Sequence, residues 1–300
     1  MRAPCSSPLP SSVPRQRRPR PPSARSPQRS QAPAPASRSP VLGPGAVDLA
    51  VEADAIAPVR IAVANALEGL PVDACVQHWN GRRKRLLIAD MDSTIIGCEC
   101  IDELADFAGV KDRVSQITER AMRGELDFEQ ALRERVAMLK DLSVDVLQRC
   151  YDERVRLNPG ARTLVRTMTA NGAGAFLVSG GFTFFTSRVA QAAGFQANRA
   201  NTLIEAGGLL TGEVGSPILG REAKLAALRE ETAAAGFTPA DALAVGDGAN
   251  DLAMINAAGL GVAYRAKPIV AAEADAKVDY ADLTALLYFQ GYTAADFVTD

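Results

Sequence analysis

The 300-residue chain holds a single histidine, His78, and that scarcity removes whole classes of chemistry. A Ser-His-Asp or Cys-His mechanism has no other histidine to use, and a zinc site built on a histidine cluster is excluded. His78 stands beside Trp79, upstream of every motif below, and reads as a surface or packing residue. Cysteine is equally sparse. Cys5, Cys75, Cys98, Cys100 and Cys150 are odd in number and lack framework spacing, which fits reduced thiols in a cytoplasmic protein. The pair in Cys98-Glu99-Cys100 does not complete a zinc site. No run of about 18 apolar residues occurs, so no membrane-spanning helix is expected. Chemistry must then rest on carboxylates, lysine, arginine, hydroxyls and a hard metal ion.

Acidic residues are missing from the front of the chain. Residues 1–45 hold twelve of the eighteen prolines and eight arginines, and the first acid is Asp48. Such a segment cannot bury enough apolar surface to offset its ordering entropy, so a disordered tail is expected. Its composition also suits a transit peptide, although proline opposes the amphipathic helix such peptides use. It has no aromatic residue for stacking on nucleic acid. The tail carries +8 against −2 for the whole chain, which leaves −10 on residues 46–300. An acidic body argues against nucleic-acid binding and requires a locally positive site for any anionic substrate.

Residues 46–82 read as a short α/β remnant, with a helix around 61–67 and a strand over 71–76. From Arg85 the pattern alternates. Leu86-Leu87-Ile88-Ala89, Ala175-Phe176-Leu177-Val178, Ala242-Leu243-Ala244-Val245 and Gly261-Val262-Ala263-Tyr264 are short apolar runs of the kind buried parallel strands show. Helical patterns lie between them at 160–171, 183–193 and 221–235. The expected fold is an α/β, doubly wound, mostly parallel sheet, Rossmann-like, with ligands beyond the carboxyl ends of its strands. Residues 100–157 interrupt this rhythm with consecutive helices and predict a small helical cap inserted after the first strand. The remaining core is 83–99 and 158–296, with a hairpin at 203–214 turning at Gly207-Gly208.

Three strands end in chemically loaded turns: Asp90-Met91-Asp92-Ser93-Thr94, Ser179-Gly180-Gly181, and Gly246-Asp247-Gly248-Ala249-Asn250-Asp251. Taken alone, each is an ordinary turn or helix cap. In a parallel sheet they share one edge, where crowded carboxylates need a cation. Oxygen ligands select Mg²⁺. One aspartate can then attack a phosphoryl group, and a second acid two residues on can move protons. Ser179 with the amides of Gly180 and Gly181 offers an anion cradle at a helix start. Lys224 lies near the start of a helix, against the helix dipole.

In order and spacing these motifs resemble the haloacid dehalogenase superfamily over residues 83–292. Within it, Glu99-Cys100-Ile101-Asp102-Glu103 and residues 127–136 resemble the cap of the enzymes that hydrolyse O-phosphoserine. The resemblance implies Asp90 as nucleophile and metal ligand, and Asp92 as general acid/base with its backbone carbonyl on Mg²⁺. It implies Asp247 as the third ligand, with Asn250 and Asp251 supporting the metal shell and positioning Lys224. Ser179, Gly180 and Lys224 would hold phosphate. Glu99 would bind the substrate ammonium and Arg135 its carboxylate, with Met122 and Phe128 closing over it and Asn250 near the substrate.

Helical spacing supports the cap reading separately. Phe128, Ala131, Leu132, Val136 and Leu139 form one apolar stripe, and Arg135 falls on the same face. A snorkelling arginine would look the same. Arg135 and Glu99 together suit a small zwitterion bearing a phosphate, which O-phosphoserine is. The expected protein is a monomer or homodimer acting on that small molecule, with no nucleic-acid or membrane partner. Another phosphate ester, transfer to a second alcohol, a phosphate-storing receiver module and a non-catalytic scaffold remain as other readings.

Overall fold

The computed structural model describes residues 40–122 and 125–299. Residues 1–39 of the expected tail lie outside the described residues. The last residues of that tail differ from expectation. Strands β1 (Val41–Gly43) and β2 (Ala46–Val47) pair in an antiparallel hairpin. The buried Leu42 side chain anchors it, and Asp48 pairs with Arg82 at 2.7 Å.

Helix α1 (Ile56–Ala66) covers the expected 61–67 helix, starting earlier. The strand expected at 71–76 reduces to one bridge, Cys75 to Ala276. Polar side chains do the pinning there. Asp73 accepts bonds from the amides of Asp279, Tyr280 and Ala281, and Gln77 donates to the carbonyl of Phe289 at 2.6 Å.

The continuous apolar runs become the central sheet, because strands covered by helices on both faces have no solvent side. Strand β3 (Leu86–Ala89) is buried along its whole length. Among the described residues four helices follow with no intervening strand: α2 (Cys100–Phe107), α3 (Lys111–Met122), α4 (Phe128–Ala137) and α5 (Asp145–Arg154). Asp127 caps α4 by accepting the Gln130 amide at 2.8 Å, the start signal visible in Asp-x-x-Gln. Then come α6 (Ala161–Ala170), β4 (Gly174–Phe182), α7 (Thr183–Ala193) and β5 (Ala197–Asn201). The hairpin β6 (Leu203–Ala206) and β7 (Leu209–Val214) turns at Gly207-Gly208 as expected. After it lie α8 (Arg221–Ala234), β8 (Ala242–Gly246), α9 (Leu252–Ala257), β9 (Leu260–Tyr264), α10 (Pro268–Glu273), β10 (Ala276–Val278) and α11 (Ala285–Phe289).

The six-stranded sheet runs β10-β9-β8-β3-β4-β5, with every pairing parallel. Strands β5 and β10 escaped the sequence reading, because Ala-Asn-Arg-Ala-Asn and Ala-Lys-Val are too short and polar to show a strand period. From β3 the chain winds outward through β4 and β5, then returns to β8 and winds the other way. The winding reverses between β3 and β8, and a doubly wound sheet opens its ligand crevice at that reversal.

The hairpin is attached to the helical insertion. Asp141 donates its amide to the Leu210 carbonyl, Leu210 donates to Leu142, and Val144 donates to Gly208, at 2.9, 2.9 and 3.0 Å. The insertion joins the core through two crossing segments, where Ile96 bridges Leu157 and Asn158 donates its side-chain amide to the carbonyls of Thr94 and Ile96.

Candidate functional site

Asp90 still belongs to the sheet ladder, donating its amide to the Val245 carbonyl at 3.0 Å. The chain then breaks sharply. Asp92 is extended (φ −65°, ψ 138°) and Ser93 is left-handed (φ 55°). This kink separates two acids that sequence alone set side by side. Asp90 is 5% exposed and faces Lys224, whose Nζ stands 2.7 Å from its Oδ1. That ammonium is the one group that meets this buried oxygen among the described residues. Asp92 turns elsewhere: its Oδ1 accepts the Cys100 amide at 3.1 Å and its Oδ2 lies 3.5 Å from Ser179 Oγ.

From the neighbouring strand β8 come Asp247 and Asp251. Asp247 Oδ1 accepts from Thr94 Oγ1 at 3.1 Å. Asp251 is wholly buried, accepts the Gly248 amide at 3.1 Å, and meets Lys224 Nζ at 2.5 Å. Lys224 rises from the first turn of α8 and is 2% exposed, so its unfavourable place in the helix dipole is offset by two carboxylates. Asn250 is half-buried in the short turn Ala249–Asp251.

The electrostatics follow from burial. Desolvation, then the Asp251 charge, push the Asp90 carboxyl well above the usual range. Burial and Asp251 raise Asp247 to about 6. Burial lowers the Lys224 ammonium, but Asp90 and Asp251 outweigh it and hold it above its ordinary value. Oxygen atoms of Asp90, Asp247 and Asp251 all lie within 4.8 Å of one another. Three carboxylates this close, two of them paired with one ammonium, form a group that could hold a metal ion. Asp251 joins the expected ligands Asp90 and Asp247 in this trio, while the resemblance gives Asp92 a part through its backbone carbonyl and not its side chain. The Asp92 side chain is turned away by its bond to the start of α2.

The local structure of the expected phosphate cradle differs from the sequence reading. Ser179-Gly180-Gly181 is not a turn at a helix start. It is an irregular stretch within β4, which regains pairing at Phe182–Asn201 before α7 begins at Thr183. The Gly181 amide donates to Ser179 Oγ at 2.8 Å. Glycine is required there by crowding: a Cβ on Gly181 would lie 2.7 Å from Asp92 Oδ2.

The insertion reaches this edge. Phe128, at the first position of α4, covers Gly180 and Gly220, and Cβ atoms at those glycines would stand 3.1 and 3.0 Å from its ring. Ala131, Leu132, Val136 and Leu139 are buried as their spacing predicts. Arg135, half-buried, donates to the Ala131 carbonyl at 3.1 Å. Burial lowers its pKa, while Asp102, Glu99 and Asp92 act against that, so these acids share its surroundings. Glu99 is exposed and accepts from Ser93 Oγ at 2.6 Å. The Met122 side chain lies outside the described residues. Burial, then Glu99, raise Asp92 to about 7.

Residues missed by the sequence reading are mainly braces. Thr94 sat inside the first motif and could have been noticed there. Asn158 and Asn201 carry no local signal.

Among known proteins, the haloacid dehalogenase-like hydrolase model matches residues 87–256. A phosphoserine phosphatase of a Polaromonas species is 48% identical over 224 residues, covering 73% of this chain and 95% of that protein. The phosphoserine phosphatase of Streptomyces coelicolor is 44% identical over 262 residues, 85% of this chain, which spans 64% of that longer protein. Among solved structures, a substrate-bound phosphoserine phosphatase complex superposes with a TM-score of 0.65 at 38% identity, covering 69% of this chain and 98% of the other. A probable phosphoserine phosphatase from Vibrio cholerae, unliganded, gives 0.69 at 36% identity, covering 83% and 76%. With its four motifs meeting at the reversal of a doubly wound sheet and its relatives sharing that frame, the chain belongs to the haloacid dehalogenase-like hydrolase family.

Proposed function

We propose that the protein hydrolyses O-phosphoserine to serine and inorganic phosphate through an aspartyl-phosphate on Asp90. One observation carries this reading: two acids two residues apart meet different partners. Asp90 faces the Lys224 ammonium and two further carboxylates, whereas the Asp92 side chain accepts the Cys100 amide and lies 3.5 Å from Ser179 Oγ. Such a separation suits a nucleophile beside a cation and an acid/base beside the cradle hydroxyl.

In this reading an Asp90 oxygen attacks phosphorus and the bond to the serine oxygen breaks. Asp92, carrying a proton near neutral pH, donates it to the departing serine alkoxide. Asp92 then accepts a proton from the water that attacks the acyl phosphate, which restores Asp90 and releases phosphate. Lys224 and Ser179 hold the phosphoryl oxygens. Asp90, Asp247 and the backbone carbonyl of Asp92 would hold Mg²⁺, with Thr94 bonded to Asp247 and Asp251 beside them; when bound, the ion would supply charge neutralisation for nucleophile and phosphoryl group. Residues 100–157 act as the cap over a core of 83–99 and 158–296. Glu99 receives the substrate ammonium, Arg135 the carboxylate, and Phe128, Met122 and Asn250 complete the enclosure. No helix among the described residues is long and apolar enough to cross a membrane. We place the protein in the cytoplasm, as a monomer or homodimer.

Phosphate release from a panel of phosphoamino acids and sugar phosphates, with Mg²⁺ and with EDTA, tests the proposal. O-phosphoserine should lead the panel and require the metal. Equal rates across the panel would defeat the substrate assignment, and full activity of Asp90→Asn would defeat the nucleophile.

A further inference from the structure

We infer that Asn201 is a positioning residue for the phosphate cradle, joining three parts of the site that the sequence keeps far apart. It ends strand β5, opposite Phe182, and is 1% exposed. Its side-chain Nδ2 donates to the carbonyl of Gly180 at 2.8 Å and to that of Leu219 at 3.1 Å. Its Oδ1 accepts the Leu219 amide at 2.7 Å. The amide orientation is fixed by these partners. A flipped side chain would put oxygen against two carbonyls and nitrogen against an N–H.

What Asn201 joins gives it meaning. Gly180 follows Ser179, the cradle hydroxyl. Leu219 precedes Gly220 and helix α8, which carries Lys224 in its first turn. Gly180 and Gly220 together form the wall against which Phe128 lies. One amide therefore sets the spacing between the cradle hydroxyl, the helix bearing the lysine, and the seat of the aromatic lid. The irregular pairing between Val178 and Phe182 leaves the Gly180 carbonyl off the regular ladder, and Asn201 supplies the donor that strand pairing would otherwise provide. The covering hairpin also starts here, since Gly215 donates to the Thr202 carbonyl at 2.8 Å and closes β6–β7 just beyond Asn201.

This inference rests on the reading of Ser179, Gly180 and Lys224 as the phosphate site. Displacements on the order of 1 Å in such a constellation lower rates by about 10²-fold. Asn201→Ala removes all three bonds, and Asn201→Ser keeps a shorter hydroxyl. Each is assayed below its own melting temperature with O-phosphoserine and with p-nitrophenyl phosphate, and inhibition by inorganic phosphate is measured alongside.

The expected result is a loss of kcat/KM of about 10²-fold, similar for both esters, with weaker inhibition by phosphate. A role confined to folding would lower the melting temperature and leave these constants unchanged, and that result overturns the inference. If one variant does not fold, the same constants measured on the other decide between these outcomes. Ser179→Ala separates the two levels. Should Ser179→Ala be harmless, the phosphate-site reading itself fails. Should Ser179→Ala be damaging while the Asn201 variants have wild-type constants, only the role of Asn201 fails.

Discussion

Lys224 offers the sharpest test of the charge balance at the site. Its ammonium lies 2.7 Å from Asp90 and 2.5 Å from Asp251, all three groups being nearly or fully buried. At an effective dielectric near 20, each pairing is worth about 6 kcal/mol of gross attraction. Desolvation of the ions offsets most of that. Breaking a buried pair while leaving its partner charged destabilises by about 3–5 kcal/mol. Lys224→Met fills the same space without the charge. For a chain of this size 1 kcal/mol moves the melting temperature by about 2–4 °C, so the variant should melt about 6–20 °C lower in EDTA. A carboxylate can take a proton in place of the lost ammonium. The folded-state pKa then lies above the unfolded one, so the variant's stability is retained at low pH and declines as pH rises through that value. The deficit should be smaller at pH 5 than at pH 8. Mg²⁺ should restore much of the melting temperature, because it supplies positive charge among the same oxygens. It should not restore activity, which should fall by about 10²–10³-fold for loss of a phosphoryl-binding cation. Differential scanning fluorimetry with EDTA and with Mg²⁺, beside phosphate-release kinetics, measures both. A melting temperature within about 2 °C of wild type in EDTA would refute the electrostatic argument.

Three further outcomes follow from the geometry. Arg135→Ala should reduce kcat/KM for O-phosphoserine by about 10–10²-fold and leave p-nitrophenyl phosphate nearly unaffected; an equal loss on both esters would make Arg135 a structural residue. Gly220→Ala places a Cβ 3.0 Å from the Phe128 ring and should lower kcat/KM by about tenfold, with partial recovery in the double variant Gly220→Ala/Phe128→Leu; no recovery would show that the clash is not with the lid. The Cys75 and Cys150 thiols are each pushed up to about 12, chiefly by burial, so at pH 8 almost no thiolate exists and alkylation of the native protein by iodoacetamide should be slow. Peptide mass spectrometry after timed quenching reads this, and rapid labelling of either residue before unfolding would contradict the raised thiol values.

The sequence by itself determined the frame and the chemical groups available to it. Apolar runs such as Leu86–Ala89 and Ala242–Val245 could only be central strands, because no alternation marks a solvent face. Acids placed just beyond them had to fall on one edge of a parallel sheet. The stripe from Phe128 to Leu139 announced which face of α4 turns inward, since a helix repeats every 3.6 residues. Local spacing has no view of pairings between distant strands, so other features belonged to the tertiary structure alone. The Ser-Gly-Gly run reads as a turn, yet β4 continues through it to Phe182, which pairs with Asn201, and the Asn201 side chain bonds the Gly180 carbonyl. Asp251 was expected beside Lys224, and the winding of β8 beside β3 shows how close: the two meet at 2.5 Å next to the Asp90 carboxylate. Sequence places Asp90 and Asp92 two residues apart, and the left-handed Ser93 with the Cys100 amide gives their side chains different partners. Sequence named the carboxylates. Their distances and partners came from contacts between residues far apart in the chain, which only the folded arrangement brings within a few ångströms.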